Sequence, residues 1–286
     1  MNTDVRASAL ISTDRLAGRL SSPDVRIVDA SFFLPVQKRD ARAEFGARHV
    51  PGAVFFDIDA IADRATSLPH MLPRPEEFGR DVGNLGIGNN HSVVVYDALG
   101  GVQAAARVWW TFRVFGHDRV AVLDGGFPKW LAEGRPVESG PVSPRPTTFR
   151  ATFRPELVRA VDRMIANVAS RREQVVDARS PGRFAGTDPE PRPAKKAGHI
   201  PGSRNVPAAA LIDSNRNFVF RPDAEIALAF ATAGIDATKP VVATCGSGVT
   251  ASVLAFGLYL LGQDKAAVYD GSWAEWGNRD DTPVER

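Results

Sequence analysis

AGHIPGSRNV, residues 197–206, has a counterpart earlier in the same chain, ARHVPGAVFF at residues 47–56, so that His199, Pro201 and Gly202 answer His49, Pro51 and Gly52. The likeness extends on both sides. RIVDAS at 26–31 matches QVVDARS at 174–180, with Asp29 answering Asp177. SVVVYD at 92–97 matches PVVATC at 240–245, and VLDGGFPKW at 122–130 matches VYDGSWAEW at 268–276. The motifs keep one order, and their spacing differs between copies by only a few residues. Internal repetition of this kind decides the fold before any single element does. The chain reads as one domain written twice.

Between the copies lies GRPVESGPVSPRPTTFRATFRPE, residues 134–156, rich in proline and poor in apolar periodicity. Proline at this density favours extended backbone, so the segment reads as a linker. The expected division is a first half over residues 1–138, a linker over 139–156 and a second half over 157–286. Within each half, short β-branched runs (26–29, 92–96, 121–123; 174–177, 240–244, 266–269) alternate with helical patterns such as AAARVWWTFRVFG and ASVLAFGLYLLG. Uniformly apolar strands separated by helices point to a small parallel sheet covered on both faces, an α/β fold in each half.

Composition narrows the function. Hydrophobic residues make up 44% and charged ones 24% of 286 residues, as in ordinary globular proteins. The net charge is +2 with no basic run, which argues against nucleic acid and anionic membrane as partners. VLAFGLYLL, residues 253–261, is far shorter than the ~20 residues that span a bilayer. MNTDVRASALISTDRLAGRL has neither the basic start and apolar core of a signal peptide nor the acid-poor character of a transit peptide, so a cytoplasmic protein is expected. A single cysteine, Cys245, allows no disulfide within the chain.

That cysteine ends an apolar strand and opens the loop Gly246, Ser247, Gly248, Val249, Thr250, after which a helical pattern begins near Ala251. In open parallel sheets, ligands bind beyond the carboxyl ends of strands. The glycines let the loop backbone curl, and a helix start brings partial positive charge, a setting that suits an anionic sulfur. A lone buried cysteine is otherwise commonly inert core; its position argues here for a nucleophile.

Three rival readings share parts of the pattern. Gly246, Gly248 and Ala251 make G-x-G-x-x-A with Asp270 ending the next strand, but too little chain follows for a dinucleotide-binding half. Asp270 also answers Asp124 in the copy without cysteine, which marks a structural aspartate. A cysteine phosphatase would close its loop with arginine, and Ala251 stands there. A redox sensor would need a second protein to supply the resolving thiol. A reactive sulfur without a partner cysteine suits a carrier that takes a group from one substrate and passes it to an external acceptor.

The paired HVPG and HIPG, the terminal DGGFPKW and DGSWAEW, and a six-residue loop opened by cysteine in the second half only resemble tandem-domain rhodanese-type sulfurtransferases over nearly the whole chain. In that family the first half has lost the cysteine, and Asp97 stands in its place here. CGSGVT, residues 245–250, is similar to the 3-mercaptopyruvate sulfurtransferase branch, whereas thiosulfate-specific members carry C-R-K-G-V-T. The resemblance implies two tandem rhodanese-like domains and a Cys245 persulfide. PGRFAGTDPEPR, residues 181–192, is similar to the segment that supplies substrate-binding arginines, which places them at Arg183 and Arg192. The loop at 55–73 resembles one that brings Asp59 and His70 to the active site to form a proton relay with Ser247. His49 and His199, present in both halves, read as loop-shaping residues. No metal or organic cofactor is implied. The expected partners are a small sulfur donor and a thiol acceptor such as thioredoxin; oligomeric state leaves no mark in the sequence. Thiosulfate as donor, or a non-catalytic persulfide-binding or redox-sensing role, are the alternatives.

Overall fold

The computed structural model describes residues 3–100 and 103–286; Met1 and Asn2, where the expected first half begins, lie outside the described residues. The first sheet contains Leu10–Ile11 (β1), Val25–Asp29 (β2), Ala53–Phe55 (β3), Ser92–Tyr96 (β4) and Val120–Leu123 (β5). The second contains Val158–Arg159 (β6), Gln174–Asp177 (β7), Arg204–Asn205 (β8), Val241–Thr244 (β11) and Ala267–Tyr269 (β12), with Ile212–Asp213 (β9) and Val219–Phe220 (β10) forming a separate antiparallel pair. Strand order is β1-β5-β4-β2-β3 in one sheet and β6-β12-β11-β7-β8 in the other, all parallel. Replacing each first-half strand by its repeat converts one order into the other, so both halves are the same α/β unit.

The runs expected as strands form the inner strands. The strand read as starting at Pro240 starts at Val241, since proline has no N–H for a ladder, and the Pro240 carbonyl instead accepts from Gln174 N–H at 3.0 Å.

The repeated HVPG and HIPG turns receive the returning end of each half. His49 exchanges backbone hydrogen bonds with Glu138 at 2.8 and 2.9 Å, and His199 does so with Glu285 at 2.8 and 3.0 Å. Each imidazole stacks on a nearby phenylalanine, His49 on Phe45 and His199 on Phe184. The tryptophan that closes each repeat donates its indole N–H to a proline carbonyl, Trp130 to Pro136 and Trp276 to Pro283. These matched contacts make both histidines part of the domain frame.

Residues 139–154 run without helix or strand, in the extended form their prolines impose, yet they are anchored. Phe149 is buried against Phe78 and Phe112, and Thr152 and Arg154 donate backbone N–H groups to the carbonyls of Phe115 and Val114. The connecting segment is a strap laid along the first half.

The two halves share one core. Helices Ala104–Val114 and Ala251–Leu260, each following the loop at 97 or 245, pack face to face through Trp109 against Phe256 and Tyr259 at 4.7 and 5.0 Å between ring centroids. Being covered by their own sheet on one side and the other half on the other, they are buried on nearly every face, Arg107 and Arg113 of the first included, and neither shows an exposed polar stripe. This contact brings the first half over the carboxyl end of β11, where Cys245 lies.

Candidate active site

Cys245 is 2% exposed and sits immediately after β11. Its N–H donates to Ser272 Oγ at 3.2 Å, and its carbonyl accepts from Trp273 N–H at 2.9 Å. Ser272 has φ +48, where the first half has Gly126 at φ +54. A β-carbon residue is costly in this left-handed region. Ser272 holds it while its hydroxyl, donating to the Tyr269 carbonyl at 2.8 Å, presents a lone pair to the Cys245 N–H. Among the described residues, the hydrogen bonds made by the cysteine loop go to its backbone groups and to Ser247 Oγ, and none goes to Cys245 Sγ.

The loop is fixed from outside by close packing. Gly246 lies so near Arg183 that a β-carbon would come within 2.6 Å of its guanidinium nitrogen. Gly248, at φ +77, lies against Arg107 and the Asp270 carbonyl, each 2.8 Å from where a β-carbon would stand. Thr250 precedes the helix Ala251–Leu260, whose start faces the loop. Val249 is buried in the core below.

The arginines read from the sequence both reach the site. Cys245, Ser247, Arg183 and Arg192 line one cavity of about 130 Å³, with Phe32, Leu34 and Trp273 as its apolar walls. That space admits a ligand of a few heavy atoms, beyond the roughly 10–15 Å³ by which one water is accommodated on this measure. Their electrostatic settings differ. Arg183 forks onto Glu190 at 2.5 and 3.1 Å, while Glu190 also accepts from the buried Arg179 at 2.7 Å, itself paired with Asp177. Arg192 makes no ion pair among the described residues. Its Nη1 donates to Ser247 Oγ at 3.4 Å and its Nη2 meets His70 Nε2 at 3.0 Å.

Asp59 and His70 arrive on the long first-half loop, with His70 Nδ1 2.9 Å from Asp59 Oδ1 and the imidazole edge-on to Phe32. Burial, outweighing the pull of Asp59, lowers the His70 pKa from its ordinary 6.5, so the ring is neutral at pH 7. Since Arg192 can only donate, Nε2 accepts and Nδ1 carries the proton toward Asp59. The hydrogen bond from His70 in turn lowers the Asp59 pKa. Asp59, His70 and Ser247 are therefore gathered in one place, but His70 and Ser247 do not touch directly. The Arg192 guanidinium lies between them.

Residues without a local sequence signal complete the site. Glu190, Arg179 and Ser272 are three of them. A fourth is Arg107, buried in the helix Ala104–Val114.

The rhodanese-like domain model matches residues 12–133 and again 160–279. The chain belongs to the rhodanese family. Its two rhodanese-like domains carry one complete cysteine loop between them. Among relatives of known name, human 3-mercaptopyruvate sulfurtransferase is 46% identical over 273 residues, covering 94% of this chain and 91% of that protein. Rat thiosulfate sulfurtransferase is 46% identical over 278 residues, covering 95% and 92%. Among solved structures, the 3-mercaptopyruvate sulfotransferase SseA from Escherichia coli superposes with a TM-score of 0.84 at 36% identity, covering 94% of this chain and all of that one.

Proposed function

We propose that this rhodanese-family protein is a sulfurtransferase that moves sulfur from 3-mercaptopyruvate, through a persulfide on Cys245, to a thiol acceptor such as thioredoxin. The observation that carries the donor assignment is Arg192. It stands beside Ser247 in the cysteine cavity with neutral partners only, whereas Arg183 is already answered by Glu190. One guanidinium left for a carboxylate suits a monoanionic keto acid, with Arg183 placed to meet the adjoining carbonyl.

In the proposed reaction the Cys245 thiolate attacks the donor sulfur. The new S–S bond forms as the carbon–sulfur bond breaks, and the electron pair of that bond leaves on the pyruvate enolate. The proton of the donor thiol ends on the enolate carbon, giving pyruvate and the Cys245 persulfide. Neutral His70, oriented by Asp59, can accept a proton at Nε2 once Arg192 releases that lone pair, and Ser247, which lines the same cavity as Cys245, is placed to pass it on. Arg192 turning onto the donor carboxylate would clear the space between His70 and Ser247. An external thiol then takes the outer sulfur and regenerates Cys245.

Thiosulfate as donor is the second reading, favoured by the names of several relatives of similar identity. Against it, the loop positions Gly246 and Ser247 add no positive charge for a dianion. Initial rates with 3-mercaptopyruvate and with thiosulfate, cyanide being the acceptor, separate the two, with intact mass recorded after donor alone. A gain of one sulfur, lost in Cys245→Ser, with preference for mercaptopyruvate is expected. Preference for thiosulfate would reverse the donor assignment, and no sulfur gained from either would remove the enzymatic reading.

A further inference from the structure

Arg107 lies in the helix Ala104–Val114 of the first half, and its side chain is 4% exposed. Its Nη1 is 2.7 Å from Asp270 Oδ1 and 3.4 Å from the Gly248 carbonyl, and its Nη2 donates to the His70 carbonyl. The guanidinium rests on the Trp110 ring at 4.6 Å. Asp270 uses its other oxygen to accept the Leu72 N–H at 2.8 Å. The pair thus grips the loop carrying His70 on either side of Met71, and the same guanidinium touches the cysteine loop. His70 has φ +60, a strained backbone that persists only where its surroundings over-determine it.

The duplication separates fold from function here. Asp270 has a repeat, Asp124, which likewise reaches the other half, accepting the Phe220 N–H at 2.8 Å. Arg107 has no such repeat. The equivalent helix, Ala251–Leu260, contains no charged residue. The aspartate serves the fold twice; the arginine occurs only where the His70 loop meets the thiol loop. A buried ion pair is in itself a poor source of stability, so stability alone does not account for it.

We infer that Arg107 is a positioning residue which, with Asp270, fixes the His70 loop of the first half in register with the Cys245 loop of the second. This rests on the sulfurtransfer proposed above for its kinetic consequences, but not for its structural ones. Lysine keeps the charge yet cannot span three acceptors, because its single nitrogen lacks the planar fork.

The test compares wild type, Arg107→Lys, Asp270→Asn and the apolar double variant Arg107→Met/Asp270→Leu. The double variant replaces the pair by side chains that commonly preserve folding. Single-turnover persulfide formation at saturating 3-mercaptopyruvate is expected to slow about tenfold or more in each, with KM within about threefold of wild type. Titration of the His70 ring, followed by NMR, is expected to move up toward 6.5 as the loop loosens and the imidazole gains water. Unchanged single-turnover rates with an unchanged His70 titration in a folded variant would overturn the inference. So would a rate that falls only as the folded fraction falls. If the wild type gains no sulfur from mercaptopyruvate, the proposed function fails, and the His70 titration alone decides the role of Arg107.

Discussion

Arg192 separates His70 from Ser247: its guanidinium nitrogens are 3.0 Å from the imidazole Nε2 and 3.4 Å from the hydroxyl oxygen. Guanidinium donates and does not accept, so no proton passes along this chain while Arg192 remains in place. In the proposed reaction, substrate binding and assembly of the relay would then be one event, the donor carboxylate drawing Arg192 away. Arg192→Ala is accordingly expected to affect the two donors unequally. KM for mercaptopyruvate should rise about 10- to 100-fold, the worth of a charge-assisted contact, while thiosulfate turnover changes little. Steady-state kinetics with both donors checks this, and an equal loss with both would remove Arg192 from donor recognition.

Arg183 is expected to respond differently, because Glu190 already holds it. Glu190→Gln frees the Arg183 fork and adds a positive charge to the cavity. The activity ratio of thiosulfate to mercaptopyruvate should increase several-fold, on the order of 3–10. The ratio of kcat/KM values for the two donors in this variant measures the effect. A ratio equal to wild type would mean that Glu190 tunes only the shape of the segment it anchors.

Ser247→Ala leaves the thiol and both arginines in place and removes one hydroxyl. General acid–base steps commonly contribute about 10²–10⁴-fold, so persulfide formation is expected to slow by at least about 10² while cyanide still discharges a preformed persulfide normally. Rapid-quench single turnovers separate the two half-reactions. An unchanged first half-reaction would exclude Ser247 from proton transfer.

The pH dependence of stability carries a sign fixed by His70. Its pKa in the native protein is below the ordinary 6.5, chiefly because the ring is buried. Below pH 6.5 the unfolded chain takes up the proton first, so this residue's contribution is intact above 6.5 and is lost as pH falls toward the native value. Asp29, which burial raises from 3.8 to about 6, works with the opposite sign, since its native state binds the proton more tightly between those values. The His70 part is therefore the difference between wild type and His70→Gln. Urea unfolding of both at several pH values from about 5 to about 7.5 should show wild type losing more stability on acidification than the variant.

The inner strands and the duplication were legible because each rests on a local signal: a β-branched run such as SVVVY, or a motif present twice. The edge strands were not. β1, β6 and β8 are two residues long and β3 is three, too short for any period to register. Cys245 could be placed from the strand before it and the glycines after it. Arg107 and Asp270 could not be joined, since their contact spans two domains and nothing near either residue announces it. Glu190 was hidden for another reason: in GTDPEPR it looks like one more solvated acid, and only the fold turns it onto Arg179 and Arg183.

The silent first-half loop shows what the active one has given up. Asp97 occupies the place of Cys245, and its carboxylate accepts the Leu99 and Ala105 N–H groups at 2.8 and 2.9 Å. Two N–H groups here are thus satisfied by the side chain at the head of the loop, which stabilises the turn and leaves them occupied. In the second half the corresponding position carries a thiol that makes no such hydrogen bonds among the described residues, so the active loop depends on the packing of Arg107, Arg183 and Ser272 instead. Asp97→Ala strips the buried Ala105 N–H and the partly buried Leu99 N–H of their acceptor and is expected to cost on the order of 2–4 kcal/mol in the unfolding free energy. Persulfide formation at Cys245 in the folded fraction should remain within about twofold of wild type, because the two hydrogen bonds that are lost both lie within the first half. Denaturant unfolding with single-turnover assays on the same samples tests both parts. A stable variant with slowed sulfur transfer would show instead that the first-half loop reaches the active site through the packed helices Ala104–Val114 and Ala251–Leu260.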